Sequence, residues 1–325
     1  MHRNRTKLAS RAHHVASALE RRGIRATYRL HDSLLSNRRS RRHYERERLP
    51  LDDVQSRVVD SLEREGCAVL PFAELVPDEG VRAAVDEELD GFARRTEEAL
   101  AREAAGDGDP ALRRREGKEF VVRLWSYDVE LADEPWLQAS LSHRLLDVAN
   151  AYLRMWSKLE YVDAWYSVPD AADTERRASQ RWHRDYNDRR LLKAFLYLVD
   201  VDEGTGPFEY VPGSTGGGPY SGEWPWEPLG TNYPPHDELV ERVPESAIRT
   251  FTAPRGTLIL CDTSGFHRGG FATTKPRVLA TATYSSPASL ASLTDRNFRF
   301  AGDLDALEAI IREAAARRAQ DTANR

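Results

Sequence analysis

A chain of 325 residues with 40% hydrophobic side chains is long enough to bury a substantial core as one elaborated domain. Its two cysteines, Cys67 and Cys261, lie in apolar strand-like runs and read as small core residues in a reducing compartment. No apolar stretch approaches the roughly 18 residues of a membrane span, and no signal-peptide apolar region follows Met1, so a soluble cytoplasmic protein is expected.

The net charge of −5 is unevenly spread. Residues 1–48 carry 14 Lys+Arg against 4 Asp+Glu, and the remainder carries 33 against 48. Leu8, Ala12, Val15 and Leu19 recur at helical spacing, which predicts a helix over 6–22 with one buried face. The arm holds only Tyr28 and Tyr44 as stacking aromatics. Docking on the acidic body or on a second subunit is therefore expected rather than nucleic-acid binding. An Arg-rich, acid-poor start also resembles a mitochondrial presequence. Against that, 42 of the 47 basic residues are Arg in an Ala-rich chain, a bias that points to a GC-rich bacterial genome.

In chain order, Pro50 and Asp52-Asp53 open a predicted helix over 51–65 that closes near Gly66. A short strand over 67–72 precedes a helix over 78–104, with Val81, Val85, Leu89, Phe92 and Leu100 on one side. The stretch 106–119 reads as a polar loop, 120–127 as a strand, 136–156 as a helix and 159–168 as a strand. The tail 303–319 is predicted as a helix, capped by Asp303 and burying Leu304, Leu307, Ile310 and Ile311. Three regions result: a basic helical extension at 1–48, a main domain at 49–302, and a C-terminal helix at 303–325.

The chemistry-bearing motif is Trp182-His183-Arg184-Asp185, followed 82 residues after Asp185 by His267 and ten further on by Arg277. In an extended chain, side chains two apart point the same way, so His183 and Asp185 share a face. A distant second His completes three ligands on one face of a metal, the arrangement of non-haem Fe(II) oxygenases. One His-x-Asp among nine His is weak alone. Its surroundings strengthen it: 191–215 reads as strand, acidic-Gly turn, short strand and Pro-Gly-Ser turn. Around the second half, a turn at Arg255-Gly256 leads to a strand over 257–261, a Gly-rich loop carries His267, and Arg277 opens a strand over 277–284.

These pieces resemble the phytanoyl-CoA dioxygenase family of Fe(II)- and 2-oxoglutarate-dependent oxygenases. The resemblance is carried by WHRD at 182–185, GPFEYVPGST at 206–215, GTLILCDTSGFHRGG at 256–270 and Arg277, and more loosely by EREGCAVLPFAEL at 63–75. It implies an all-β core with flanking helices, folded as a double-stranded β-helix (a jelly-roll, cupin-like barrel). It also implies Fe(II) held by His183, Asp185 and His267, with 2-oxoglutarate and O2 as co-substrates. Arg277 would then pair with the distal carboxylate of 2-oxoglutarate, since a guanidinium grips a carboxylate bidentately. Arg268 is the competitor, but strand alternation turns it away from the metal side. Position 279 is Leu where the wider group often has Ser or Thr; Thr257, Thr281 or Thr283 is expected to supply the second hydrogen bond.

Asp185 also discriminates between reactions. Related halogenases have Gly or Ala there, so its presence favours hydroxylation, desaturation or another oxidation of an unactivated C–H bond. Two other readings keep the barrel: a non-redox cupin-like metal isomerase or lyase, and a non-catalytic small-molecule-binding protein. Arg277 argues against the first, and the complete ligand set against the second. For the substrate, the aromatic segment 220–238 is read as a lid, with Trp224, Trp226, Tyr233 and His236 as contacts. Trp165 and Lys193 are expected on strands flanking the pocket. A free small-molecule metabolite or natural product fits the acidic body better than a CoA thioester, with the protein as monomer or homodimer.

Overall fold

The computed structural model describes residues 23, 27–107, 112, 114–115, 118–125, 129–171, 174–226, 233–289 and 298–316. The helix expected over 6–22 and the centre of the 220–238 segment lie outside them. Residues 27–33 are helical and lead into α1 (Ser36–Glu47). This part of the basic arm docks on the body. Ser40 donates to the Trp156 carbonyl, Asn37 accepts from the Ala288 amide at 3.0 Å, and His43 stacks on Trp156 at 4.9 Å.

Helix α2 (Asp53–Glu65) starts on a capping box in which Asp52 and Gln55 satisfy each other's backbone amides. Gly66 ends it in the left-handed conformation, φ 77°. Strand β1 (Cys67–Pro71) turns into the short helix α3 (Phe72–Leu75), and Asp78 caps α4 (Glu79–Ala104). Part of the expected polar loop is instead an edge hairpin, β2 (Arg114–Arg115) against β3 (Lys118–Arg123). A short β4 (Val129–Leu131) follows.

The helix expected over 136–156 is two helices, α5 (Pro135–Leu141) and α6 (His143–Leu153). Ser142 breaks it: its backbone is extended, and its hydroxyl donates to the Ala139 carbonyl at 2.6 Å in competition with the helix.

The rest is mostly strand: β5 (Lys158–Ser167), β6 (Leu192–Tyr197), β7 (Phe208–Tyr210), then helix α7 (His236–Arg242). Strands β8 (Arg249–Phe251), β9 (Thr257–Cys261), β10 (His267–Arg268), β11 (Arg277–Ser285) and β12 (Phe298–Phe300) follow. The tail also departs from expectation. A 3-10 turn at Leu304–Ala306, with Asp303 accepting from the Asp305 amide, is separated by extended backbone at Leu307 from α8 (Ala309–Ala315). Ala314 and Ala315 are buried, while Leu304, Leu307 and Ile311 pack on the core only in part.

Seven strands form one antiparallel sheet in the order β1-β9-β6-β11-β5-β3-β2, and three form a second, β10-β7-β8. Side-chain alternation divides the large sheet's interior cleanly. Ala194, Leu196, Leu258, Leu260, Val278, Ala280 and Ala282 join the helices through Leu62, Leu89, Trp136 and Leu145. Phe195, Tyr197, Ile259, Cys261 and Leu279 instead meet Phe208, Tyr210 and Phe251 of the small sheet. The all-β core with flanking helices is thus two facing antiparallel sheets, a jelly-roll arrangement, with the helices stacked behind the larger one. Cys67 and Cys261 are both buried and free in this core. Among the described residues no helix is long and apolar enough to cross a membrane.

Candidate metal centre

The motif at 182–185 is extended backbone rather than a regular strand, and its alternation sorts four side chains into two jobs. Trp182 and Arg184 point into a satellite core. Trp182 is buried with Val211, Leu239, Val243 and Phe266. Arg184 lies 3.9 Å over the Phe266 ring and donates to the carbonyls of Ser214 and Ser264 at 2.6 and 2.8 Å. His183 and Asp185 are left facing the opposite way, towards His267.

His267 lies on β10, not on a loop, because β10 pairs with β7 at Tyr210. It forms a backbone bridge with His183, each amide donating to the other's carbonyl at 3.0 Å. The Asp185 amide donates to the Thr263 carbonyl at 2.8 Å. One ligand atom from each of His183, Asp185 and His267 can be chosen so that all lie within 4.8 Å of one another.

Three features suit these donors to a divalent iron. His183 Nδ1 lies 2.8 Å from the Arg181 carbonyl, and His267 Nδ1 3.0 Å from the Gly265 carbonyl. Those contacts fix the tautomers and leave both Nε2 lone pairs as donors. Burial pushes both imidazoles below their ordinary pKa, so they are neutral. Burial alone would raise the Asp185 carboxyl. Lys193 beside it outweighs that and holds it well below the usual range. Two neutral imidazoles and one carboxylate is the donor set that iron takes in the two-His, one-carboxylate triad.

Asp185 has two further partners. Thr263 donates to Oδ2 at 2.5 Å, and Lys193 Nζ lies 2.5 Å from the same oxygen. Lys193, expected as a pocket residue, therefore balances the half-buried carboxylate. Behind His267 the site is apolar, with the Phe208 ring 5.8 Å away and Phe195 and Phe251 packed on Phe208.

Arg277 opens β11 on the face shared by Leu279 and Thr281, the interior one. It is buried, donates from Nη1 to the Gly206 carbonyl at 2.6 Å, and its Nε has no partner among the described residues. Among the described residues no carboxylate reaches its guanidinium. Burial pulls its pKa below the usual range, with Tyr197 opposing. The carbonyl it uses is fixed by a close crossing. A Cβ on Gly206, at φ 73°, would lie 2.5 Å from the Phe271 carbonyl carbon, and one on Gly270 only 1.6 Å from the Gly206 oxygen.

Thr281 stands on Arg277's own strand and face, with a buried hydroxyl that has no partner among the described residues. Thr257 heads β9, separated from β11 by β6. Arg268 is turned outward, paired with Glu209 through Nη2 at 2.9 Å and stacked over Trp182 at 4.6 Å.

The aromatic residues divide. Tyr233 lies 5.6 Å from the His183 ring, under Arg181. Trp226 donates from Nε1 to the Asp185 carbonyl at 2.9 Å. His236 accepts from Trp182 Nε1 at 3.1 Å, behind the metal motif. Trp224, in the left-handed region at φ 38°, packs edge-on against Phe266 with Arg242 over its ring. Trp165 lies on the interior face and donates to Tyr161 Oη at 3.1 Å. Beside it Asp163 is wholly buried, accepting from Arg123 at 2.6 Å and from Tyr161 at 2.9 Å.

Sequence reasoning missed Thr263, the Arg123–Asp163 pair and the place of Lys193. Only Thr263 had a local signal, lying in the run that delivers His267.

The sequence profile of the phytanoyl-CoA dioxygenase (PhyH) family matches residues 72–278. No curated protein sequence matches the chain. Among similar solved structures is the epimerase SnoN in complex with Fe3+, alpha ketoglutarate and nogalamycin RO. It is 18% identical over 72% of this chain and 84% of that one, with a TM-score of 0.46. EctD from S. alaskensis with 2-oxoglutarate and 5-hydroxyectoine is 20% identical over 73% and 79%, TM-score 0.46. HygX from Streptomyces hygroscopicus with nickel and 2-oxoglutarate bound is 17% identical over 73% and 88%, TM-score 0.44.

Proposed function

The chain belongs to the phytanoyl-CoA dioxygenase family, and from that premise we propose that it oxidises an unactivated C–H bond of a free small molecule, most simply by hydroxylation. It is a 2-oxoglutarate-dependent dioxygenase using iron. His183, Asp185 and His267 hold the metal, and Arg277 holds the far carboxylate of 2-oxoglutarate. The observation that carries this reading is the pairing of two neutral, tautomer-fixed imidazoles with one ionised carboxylate inside a 4.8 Å cluster.

Iron with 2-oxoglutarate and O2 supplies the oxidising power for C–H cleavage, with succinate and CO2 as products. The protein's own contribution is placement. Carbonyl contacts aim both Nε2 atoms at the metal position, and Thr263 orients Asp185. Lys193 would keep the Asp185 carboxylate ionised for the metal. Arg277 brings a buried positive charge with donors to spare, which suits a dianionic co-substrate. Phe208, Phe195 and Phe251 keep bulk water from that side. Tyr233 and Trp226, beside two of the ligands, are the substrate-side residues favoured here. Trp224 packs against the core around Phe266.

Anaerobic titration with Fe(II) tests the ligand assignment. One metal per chain is expected for the wild type, and none for Asp185→Ala at matched concentration. Equal binding by both would remove Asp185 from the site.

A further inference from the structure

Through Tyr28 the basic arm reaches the segment that follows the proposed metal carboxylate. Tyr28 is 2% exposed, although its neighbours Leu30, Leu34 and Leu35 are largely open to solvent. Its hydroxyl donates to Asp188 Oδ1 at 2.7 Å. Asp188, three residues after the metal carboxylate, also accepts from the Arg189 amide and the Ser286 amide, each at 2.8 Å. The Tyr28 ring lies 5.5 Å from the Trp226 ring, and Trp226 donates to the Asp185 carbonyl at 2.9 Å. The segment 185–189 is thus gripped at both ends by groups that Tyr28 touches, across more than 150 residues of sequence.

We infer that Tyr28 is a positioning residue for the metal carboxylate, so that the docked arm forms part of the metal site. This rests on the assignment of Asp185 as a ligand. The mechanism is mechanical. Asp185 is held at its side chain by Thr263 and Lys193 and at its backbone by Thr263 and Trp226. Without Tyr28, Trp226 loses its backing and Asp188 a donor, so the backbone that carries the carboxylate is held less tightly. Partners that orient a metal ligand typically govern 10–100-fold in affinity. Linkage then works both ways: metal binding must hold the arm down by the factor with which the arm aids metal binding.

Co(II) binding to the full-length chain tests this. Tyr28→Phe keeps the ring and loses the hydroxyl, and is expected to weaken Co(II) about tenfold; Tyr28→Ala, losing the ring as well, is expected to weaken it further. Ser40→Ala removes an arm contact at Trp156, remote from the metal ligands in sequence and pairing, and should leave affinity unchanged. Amide exchange in residues 27–33 should slow when Co(II) is added to the wild type. Wild-type affinity in Tyr28→Phe, with exchange insensitive to Co(II), would overturn the inference. An equal loss in Ser40→Ala would overturn it too, by showing a general effect of arm docking. Asp185→Ala that binds Co(II) normally would sink the ligand assignment itself, a result separable from both.

Discussion

His183 and His267 are joined backbone to backbone, each amide donating to the other's carbonyl at 3.0 Å, with their rings 4.2 Å apart. Because β10 pairs in turn with β7, both imidazoles rise from one rigid ladder. Asp185, the third proposed ligand, is tied to the same frame through the Thr263 carbonyl. Preorganisation of this kind makes the site sensitive to small changes in what holds the ligands.

Thr263→Val should show that sensitivity without touching a ligand. Loss of the 2.5 Å hydrogen bond to Asp185 Oδ2 is expected to weaken Fe(II) roughly 10–100-fold, measured by anaerobic titration. Unchanged affinity would mean that the Thr263 hydroxyl does not orient the carboxylate.

Arg277→Ala is expected to raise the apparent KM for 2-oxoglutarate by about two orders of magnitude, the effect of losing hydrogen bonds worth about 1.5–3 kcal/mol each to a charged partner. Metal affinity should hold, because Arg277 is not a ligand. A KM unchanged within twofold would remove the guanidinium from co-substrate binding.

Arg123→Ala tests the buried pair on the site's inner wall. Asp163 is wholly buried, and burial pushes its carboxyl upward against the opposing Arg123. Removing the arginine leaves an uncompensated buried acid, expected to cost about 3–5 kcal/mol. Denaturant unfolding measures it, and a change below about 1 kcal/mol would show that the pair contributes little.

Asp188 sets a pH dependence with a definite sign. Burial raises its carboxyl from 3.8 to about 6, against hydrogen bonds from Ser286 and Tyr28. The folded chain therefore holds this proton more tightly than the unfolded chain does. Its contribution is fully present below pH 3.8 and is lost as pH rises through about 6, at about 1.4 kcal/mol per unit between the two values. Asp188→Asn should flatten that part of the stability profile between pH 4 and 7. A parallel profile in the variant would show that Asp188 is not the titrating group.

What was legible in the sequence was local. Strand alternation put His183 and Asp185 on one face, and the same rule turned Arg268 away, where Glu209 now holds it. Capping chemistry at Asp52 and Gly66 bounded α2. Failures came where a local pattern met a competing contact. The apolar period over 136–156 hid the hydroxyl of Ser142, which ends α5. Trp224 looked like lid but lies against Phe266, because Arg242 on α7 covers its other face. Lys193 and Tyr28 act across distances that no spacing rule encodes. One reaches Asp185 from a neighbouring strand, and the other reaches Asp188 from the arm.

The most direct measurement is 2-oxoglutarate consumption by the iron-loaded chain under O2, with succinate quantified. Succinate formed one-for-one with 2-oxoglutarate consumed, dependent on Fe(II) and abolished in Asp185→Ala and His267→Ala, is the expected result. A folded, iron-loaded chain that leaves 2-oxoglutarate intact across a broad panel of candidate small-molecule substrates would contradict it.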